Sequence, residues 1–123
     1  MLHKENGRKN LRVNKNNKRF IYLISPNHIK NNNFYEKLKQ VLSSNKVNFF
    51  QLRLKKEKIK KKIIVAKKIK KICKKYKVKF LINDDPIFAK KINADGCHLG
   101  QKDMNILKAR KILKNKIIGI TCH

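Results

Sequence analysis

Short apolar runs alternate with amphipathic stretches along most of the chain, and each switch of period marks a change of element. Arg19-Phe-Ile-Tyr-Leu-Ile-Ser25 is a short apolar run stopped by Ser25-Pro26, and reads as a buried strand. Asn31, Asn32 and Asn33 then offer helix caps, and Phe34, Leu38, Val41 and Leu42 follow at helical spacing. Val47 to Leu54 reads as the next strand. Lys56 to Tyr76 reads as a long amphipathic helix whose apolar stripe runs through Ile59, Ile63, Ala66, Ile69 or Ile72, Cys73 and Tyr76. Val78 to Ile82 is a third strand, stopped by Asn83-Asp84-Asp85-Pro86. A short helix over Ile87 to Ile92, a strand over Asp95 to Leu99, a helix over Met104 to Leu113 and a strand over Lys116 to Ile120 complete the pattern.

Alternating strands and helices of this kind predict an α/β fold of parallel strands covered by helices. A doubly wound sheet and a (β/α) barrel both fit. The pattern holds four βα units plus a fifth strand, whereas a closed eight-stranded barrel needs about 200 residues or more. A barrel reading therefore makes the chain the first half of one, truncated after the fifth strand. The stretch 1–19 is rich in Asn and Lys and lacks apolar periodicity. It is expected to be a basic, disordered tail, leaving 20–123 as a partial barrel domain.

Charge changes the list of candidate partners. The 123 residues carry 34 Lys and Arg against 7 Asp and Glu, a formal net charge of +27. A nucleic-acid binder is one reading, since clustered cations release counterions from phosphates. Yet Lys outnumbers Arg 29 to five, whereas nucleic-acid recognition favours the guanidinium fork. Lys, Asn and Ile, all with A/T-rich codons, are enriched together, so a compositional background is weighed above a selected basic surface. No aromatic stacking motif accompanies the charge. No apolar run approaches the roughly 20 residues of a membrane span, and Met1 to Arg19 contains no secretory apolar core. Cys73, Cys97 and Cys122 are widely spaced with no paired motif, so reduced thiols and a cytoplasmic location are the expectation. The adjacent pairs Cys97-His98 and Cys122-His123 lack metal-ligand spacing.

Against this background the acids stand out. Asp84, Asp85, Asp95 and Asp103 are all the aspartates of the chain and fall within 20 residues. Strand alternation puts Gln51, Arg53 and Lys55 on one face and Phe50, Leu52 and Leu54 on the other. An amide, a guanidinium and an ammonium in a row at the carboxyl end of a strand make an anion cradle, at the place where parallel α/β folds hold ligands. A solvated edge-strand face is the plain alternative. The third strand ends at Asn83, Asp84 opens the following loop and Asp103 lies just beyond the fourth strand, so the carboxylates of Asp84 and Asp103 could share a hard cation such as Mg²⁺. Simple helix capping is the alternative for both acids. His98 alternates with Gly96 and Gly100 and is expected to face the same interior.

Gln51-Leu-Arg-Leu-Lys55, Ile82-Asn-Asp84, Asp95 to Asp103 and Gly119-Ile-Thr-Cys-His123 occur in the order and spacing of thiamine phosphate synthases, and the chain resembles that family from about Phe20 to His123. The resemblance implies a TIM barrel. It implies a transferase that joins 4-amino-2-methyl-5-hydroxymethylpyrimidine diphosphate to 4-methyl-5-(2-phosphoethyl)thiazole, giving thiamine phosphate and pyrophosphate. It further implies that Gln51, Arg53, Lys55, Asn83 and Thr121 bind the pyrimidine substrate, and that Asp84 and Asp103 hold Mg²⁺. Thr121 stands where the family usually has Ser. Thiazole tautomerase relatives share the barrel, but the intact Gln51, Arg53 and Lys55, Asn83 and Asp84, and Gln101 and Asp103 sets argue for the synthase side. The chain by itself is expected to turn over little, and its first and fifth strands are expected to be open edges prone to self-association. A basic nucleic-acid binder and a non-catalytic half-barrel remain the alternatives.

Overall fold

The computed structural model describes residues 12–16, 20–29, 32–100 and 106–120. Six strands form one sheet in chain order: β1 (Arg12–Asn16), β2 (Phe20–Ile24), β3 (Phe49–Leu52), β4 (Lys79–Asn83), β5 (Gly96–Leu99) and β6 (Ile117–Ile120). Strands β2 to β6 pair in parallel. Between them run α1 (Asn33–Leu42), α2 (Ile59–Lys75), α3 (Pro86–Lys91) and α4 (Ile106–Leu113). Consecutive parallel neighbours joined by helices are the first half of a (β/α)₈ barrel, not the reversing order of a doubly wound sheet.

The extra strand is β1, which runs antiparallel to β2 from Arg12 opposite Ile24 to Asn16 opposite Phe20. The edge of the first parallel strand, expected to be open, is therefore paired. Main-chain hydrogen bonding to an exposed edge needs no apolar alternation, which is why the polar sequence Arg-Val-Asn-Lys-Asn gave no strand signal. Among the described residues no helix is long and apolar enough to cross a membrane.

The register separates two faces. Leu23, Phe50, Phe80, Ile82, Cys97 and Leu99 project toward the helices and are buried in one core with Leu38, Leu42, Ala66, Ile69, Ala89 and Leu113. Removing this apolar surface from water, at roughly 25 cal/mol per Å², is the main drive for the fold. Phe34, Phe50 and Phe80 continue the core as an aromatic chain, with ring centroids 6.3 and 6.5 Å apart. On α2 the buried stripe is Val65, Ala66, Ile69, Ile72 and Cys73. Ile59, expected in the stripe, lies on the first turn and is 51% exposed, while Val65 takes a core position.

Helices α2 and α3 end in left-handed residues that turn the chain directly into the next strand. Lys77 has φ 59° and Asn93 φ 56°. Val78 N–H donates to Cys73 C=O at 2.8 Å and Lys77 N–H to Lys74 C=O at 3.2 Å, and Ala94 and Asn93 repeat the pattern on Ala89 and Lys90. These paired bonds satisfy helix-end carbonyls. Gly96 has a steric reason: a Cβ there would lie 2.1 Å from the Ile117 carbonyl oxygen on β6.

Candidate functional site at the carboxyl ends of the strands

The second face carries Gln51 on β3, Leu81 and Asn83 on β4, Gly96 and His98 on β5 and Gly119 on β6, aligned by the strand register. Gln51 is only 6% exposed. A buried amide needs partners, and Gln51 Nε2 donates to Asn83 Oδ1 at 2.6 Å. Asn83 Nδ2 in turn donates to Asp84 Oδ2 at 3.0 Å. Gly100 N–H donates to Asp84 Oδ1 at 2.9 Å, and Asp84 N–H donates to the His98 carbonyl at 2.7 Å. Lys55 Nζ stands 3.7 Å from Asp84 Oδ2. Side chains from β3, β4 and the residues just beyond them, with the main chain at the end of β5, thus converge around one carboxylate.

Asp84 is held in this place by its backbone as well. Its φ of 61° is left-handed, a conformation that Asp tolerates better than most residues. Capping is not its task. Asp85 is the N-cap of α3, with its Oδ1 accepting Phe88 N–H at 2.9 Å, and Pro86 follows at the first helical position. The Lys55–Asp84 ion pair is half exposed on the lysine side, so it contributes little stability. What it does is place an ammonium beside the carboxylate.

Arg53 follows β3 on the same side. Its Nε is buried and has no acceptor among the described residues. Buried guanidinium nitrogens are almost always paired, so this one marks a position suited to an anionic oxygen. The Arg53 main chain is fixed by Ser25, which the sequence reading did not single out. Ser25 is 2% exposed. Its Oγ accepts Arg53 N–H at 2.8 Å and donates to Pro26 C=O at 3.1 Å. The one local signal was a small hydroxyl at a strand end before proline.

His98 faces this interior, as its alternation with glycines implied. A Cβ on Gly119 would meet His98 Nδ1 at 2.7 Å, so the imidazole lies over the bare glycine. Burial pushes the His98 pKa below its ordinary value, with the Asp84 carboxylate opposing that shift. Cys97 projects the other way into the core, so Cys97 and His98 cannot share a metal. Cys73 and Cys97 are free thiols. Burial, helped by Asp95, pushes the Cys73 pKa up to about 12, which leaves it inert. Asp103 and Thr121 lie outside the described residues.

Three comparisons bear on this arrangement. The family model for thiamine monophosphate synthase matches residues 21–123. The thiamine-phosphate synthase of Pelagibacter ubique is 71% identical over 113 residues, which are 92% of this chain and 55% of that protein. The thiamine-phosphate synthase of Clostridium perfringens is 38% identical over 104 residues, 84% of this chain and 50% of that one. The solved structure of thiamine phosphate pyrophosphorylase from Pyrococcus furiosus superposes with a TM-score of 0.73 at 27% identity, covering 86% of this chain and 51% of its own. The chain spans about half the length of the curated relatives it matches. Because the matched stretch contains all five parallel strands and the whole Gln51 to Gly100 constellation, the chain belongs to the thiamine monophosphate synthase family.

Proposed function

We propose that this chain carries the pyrimidine-diphosphate side of a thiamine phosphate synthase site. The observation that carries the reading is the convergence of Gln51, Lys55, Asn83 and Asp84 at the carboxyl ends of neighbouring strands, with the buried Arg53 Nε, which has no acceptor among the described residues. The substrates would be 4-amino-2-methyl-5-hydroxymethylpyrimidine diphosphate and 4-methyl-5-(2-phosphoethyl)thiazole, and the products thiamine phosphate and pyrophosphate.

Each residue then has a task. Arg53 and Lys55 hold the diphosphate and stabilise the charge that grows on it as the bond to the pyrimidine methylene breaks. Gln51 and Asn83 lock each other's amides, so the polar edge they present is fixed before substrate arrives. Thr121 contributes a hydroxyl to the pyrimidine. The thiazole nitrogen captures the methylene carbon once pyrophosphate has left. The hard oxygens of Asp84 suit Mg²⁺, which binds through one or two carboxylates together with substrate phosphates. Asp84 with Asp103 would hold that ion, which when bound neutralises diphosphate charge.

The direct test is calorimetric titration of the chain with the pyrimidine diphosphate in Mg²⁺, alongside assay of thiamine phosphate formation from both precursors. Saturable, Mg²⁺-dependent binding is expected. Asp84→Asn keeps a side chain that tolerates the left-handed backbone and removes the charge. It should weaken binding by about tenfold or more, a loss of about 1.4 kcal/mol, and Arg53→Ala should do the same. Failure of the unsubstituted chain to bind, or unchanged affinity in both variants, would refute the reading.

A further inference from the structure

At the opposite end of the strands lies a cleft of about 520 Å³, bounded by the last turns of α2, the turn at Lys77, the start of β4 and the segments entering β5 and β6. Five lysines line it (Lys70, Lys74, Lys77, Lys79 and Lys116) against one carboxylate, Asp95. We propose that this cleft is a second anion site that takes a small polyphosphate.

The lysines come from separate parts of the fold and point to one concavity, which a uniformly basic surface does not require. Two of their ammonium groups are fixed. Lys70 Nζ donates to Ile92 C=O at 3.1 Å. Lys116 Nζ donates to Asn93 Oδ1 at 2.7 Å and to Ala94 C=O at 2.6 Å. Those acceptors are neutral, so they orient the charge without cancelling it. The ammonium groups of Lys74, Lys77 and Lys79 have no partner among the described residues. Asp95 is turned to the sheet, its Oδ2 accepting Phe80 N–H at 2.7 Å.

Like charges lining a cleft focus the field there and concentrate anions. The donors are all compact ammonium charges with no guanidinium fork, a set that suits phosphate oxygens from several directions and not planar carboxylate recognition. A concavity of about 520 Å³ bounded by a helix end and three strand starts has room for a di- or triphosphate. The site stands apart from Arg53 and Asp84, so it does not depend on the synthase reading.

The test is titration of the full chain with inorganic triphosphate at about 150 mM salt, where long-range attraction is screened beyond about 8 Å, followed through backbone amide NMR shifts. Saturable shifts are expected at Val78, Asn93 and Asp95. The triple variant Lys74→Ala/Lys77→Gly/Lys79→Ala should weaken binding by about tenfold or more. Glycine is used at Lys77 because of its positive φ. A charge-matched control, Lys60→Ala/Lys67→Ala/Lys71→Ala on the exposed face of α2, should change affinity by less than about twofold. Equal weakening in the control, or saturation confined to Gln51, Arg53 and Asn83, would overturn the proposal.

Discussion

His98 ties the candidate site to stability. Its ring lies over Gly119, its carbonyl accepts the Asp84 N–H, and burial lowers its pKa from the ordinary 6.5. The unfolded chain therefore takes up a proton at His98 before the folded chain does. The stability this group contributes is complete above pH 6.5 and is lost as pH falls from 6.5 through the lower folded value. Urea midpoints measured at about pH 7.5 and about pH 5.5, on either side of the free-histidine value, should drop toward acid. His98→Gln should show a smaller drop than the unsubstituted chain. Equal drops would assign the acid sensitivity elsewhere. At this scale the sequence was informative about which residues share a face, because strand alternation is local. Gln51 and His98 were legible that way, and Asn83 was legible as the end of a strand. Ser25 and Gly119 were not, because their tasks arise only where β2 meets β3 and β5 meets β6.

Elements were legible wherever an apolar run had a polar stop. The five parallel strands and all four helices fall where the pattern put them. β1 was missed because its strand character comes from pairing with β2, and the stripe of α2 shifted because only packing decides which of Val65 and Ile59 reaches the core. The breaks between elements lead to two opposing predictions. Lys77 adopts φ 59° at a helix end where glycine is the usual residue. Lys77→Gly removes the left-handed penalty of about 1–2 kcal/mol, partly offset by the greater freedom of glycine in the unfolded chain. A net gain of about 0.5–1 kcal/mol is expected, read from the urea midpoint. Gly96→Ala should act the other way. Its new methyl would meet main chain, with Ile117 O at 2.1 Å, so the β5–β6 pairing itself must shift. A loss of about 1–3 kcal/mol is expected, together with displaced His98 and Gly119 resonances. A neutral Gly96→Ala would mean that these two strands are not in register as described.

For the whole molecule, the charge of +27 is a load on stability before it is a recognition device. Among the described residues, Glu36, Glu57 and Asp84 pair with Lys39, Lys61 and Lys55, and with 34 cations against 7 acids most of the cations have no acid to pair with. Long-range repulsion among exposed lysines favours the expanded chain. Salt shortens the reach of that repulsion, from about 20 Å near 20 mM to about 4 Å near 500 mM. A protein held together by surface ion pairs would lose stability over that range. This one should gain it, with the urea midpoint rising as sodium chloride is added at constant pH. Urea is the denaturant to use, since it adds no ions of its own. The lysine cleft beside β4 adds a second test to the same experiment. If its five cations repel one another until an anion arrives, inorganic triphosphate should raise the midpoint more than sodium chloride of equal ionic strength. The Lys74→Ala/Lys77→Gly/Lys79→Ala variant should start less burdened and lose that extra gain. A midpoint that falls with sodium chloride would show that attraction, not repulsion, dominates the surface of this chain.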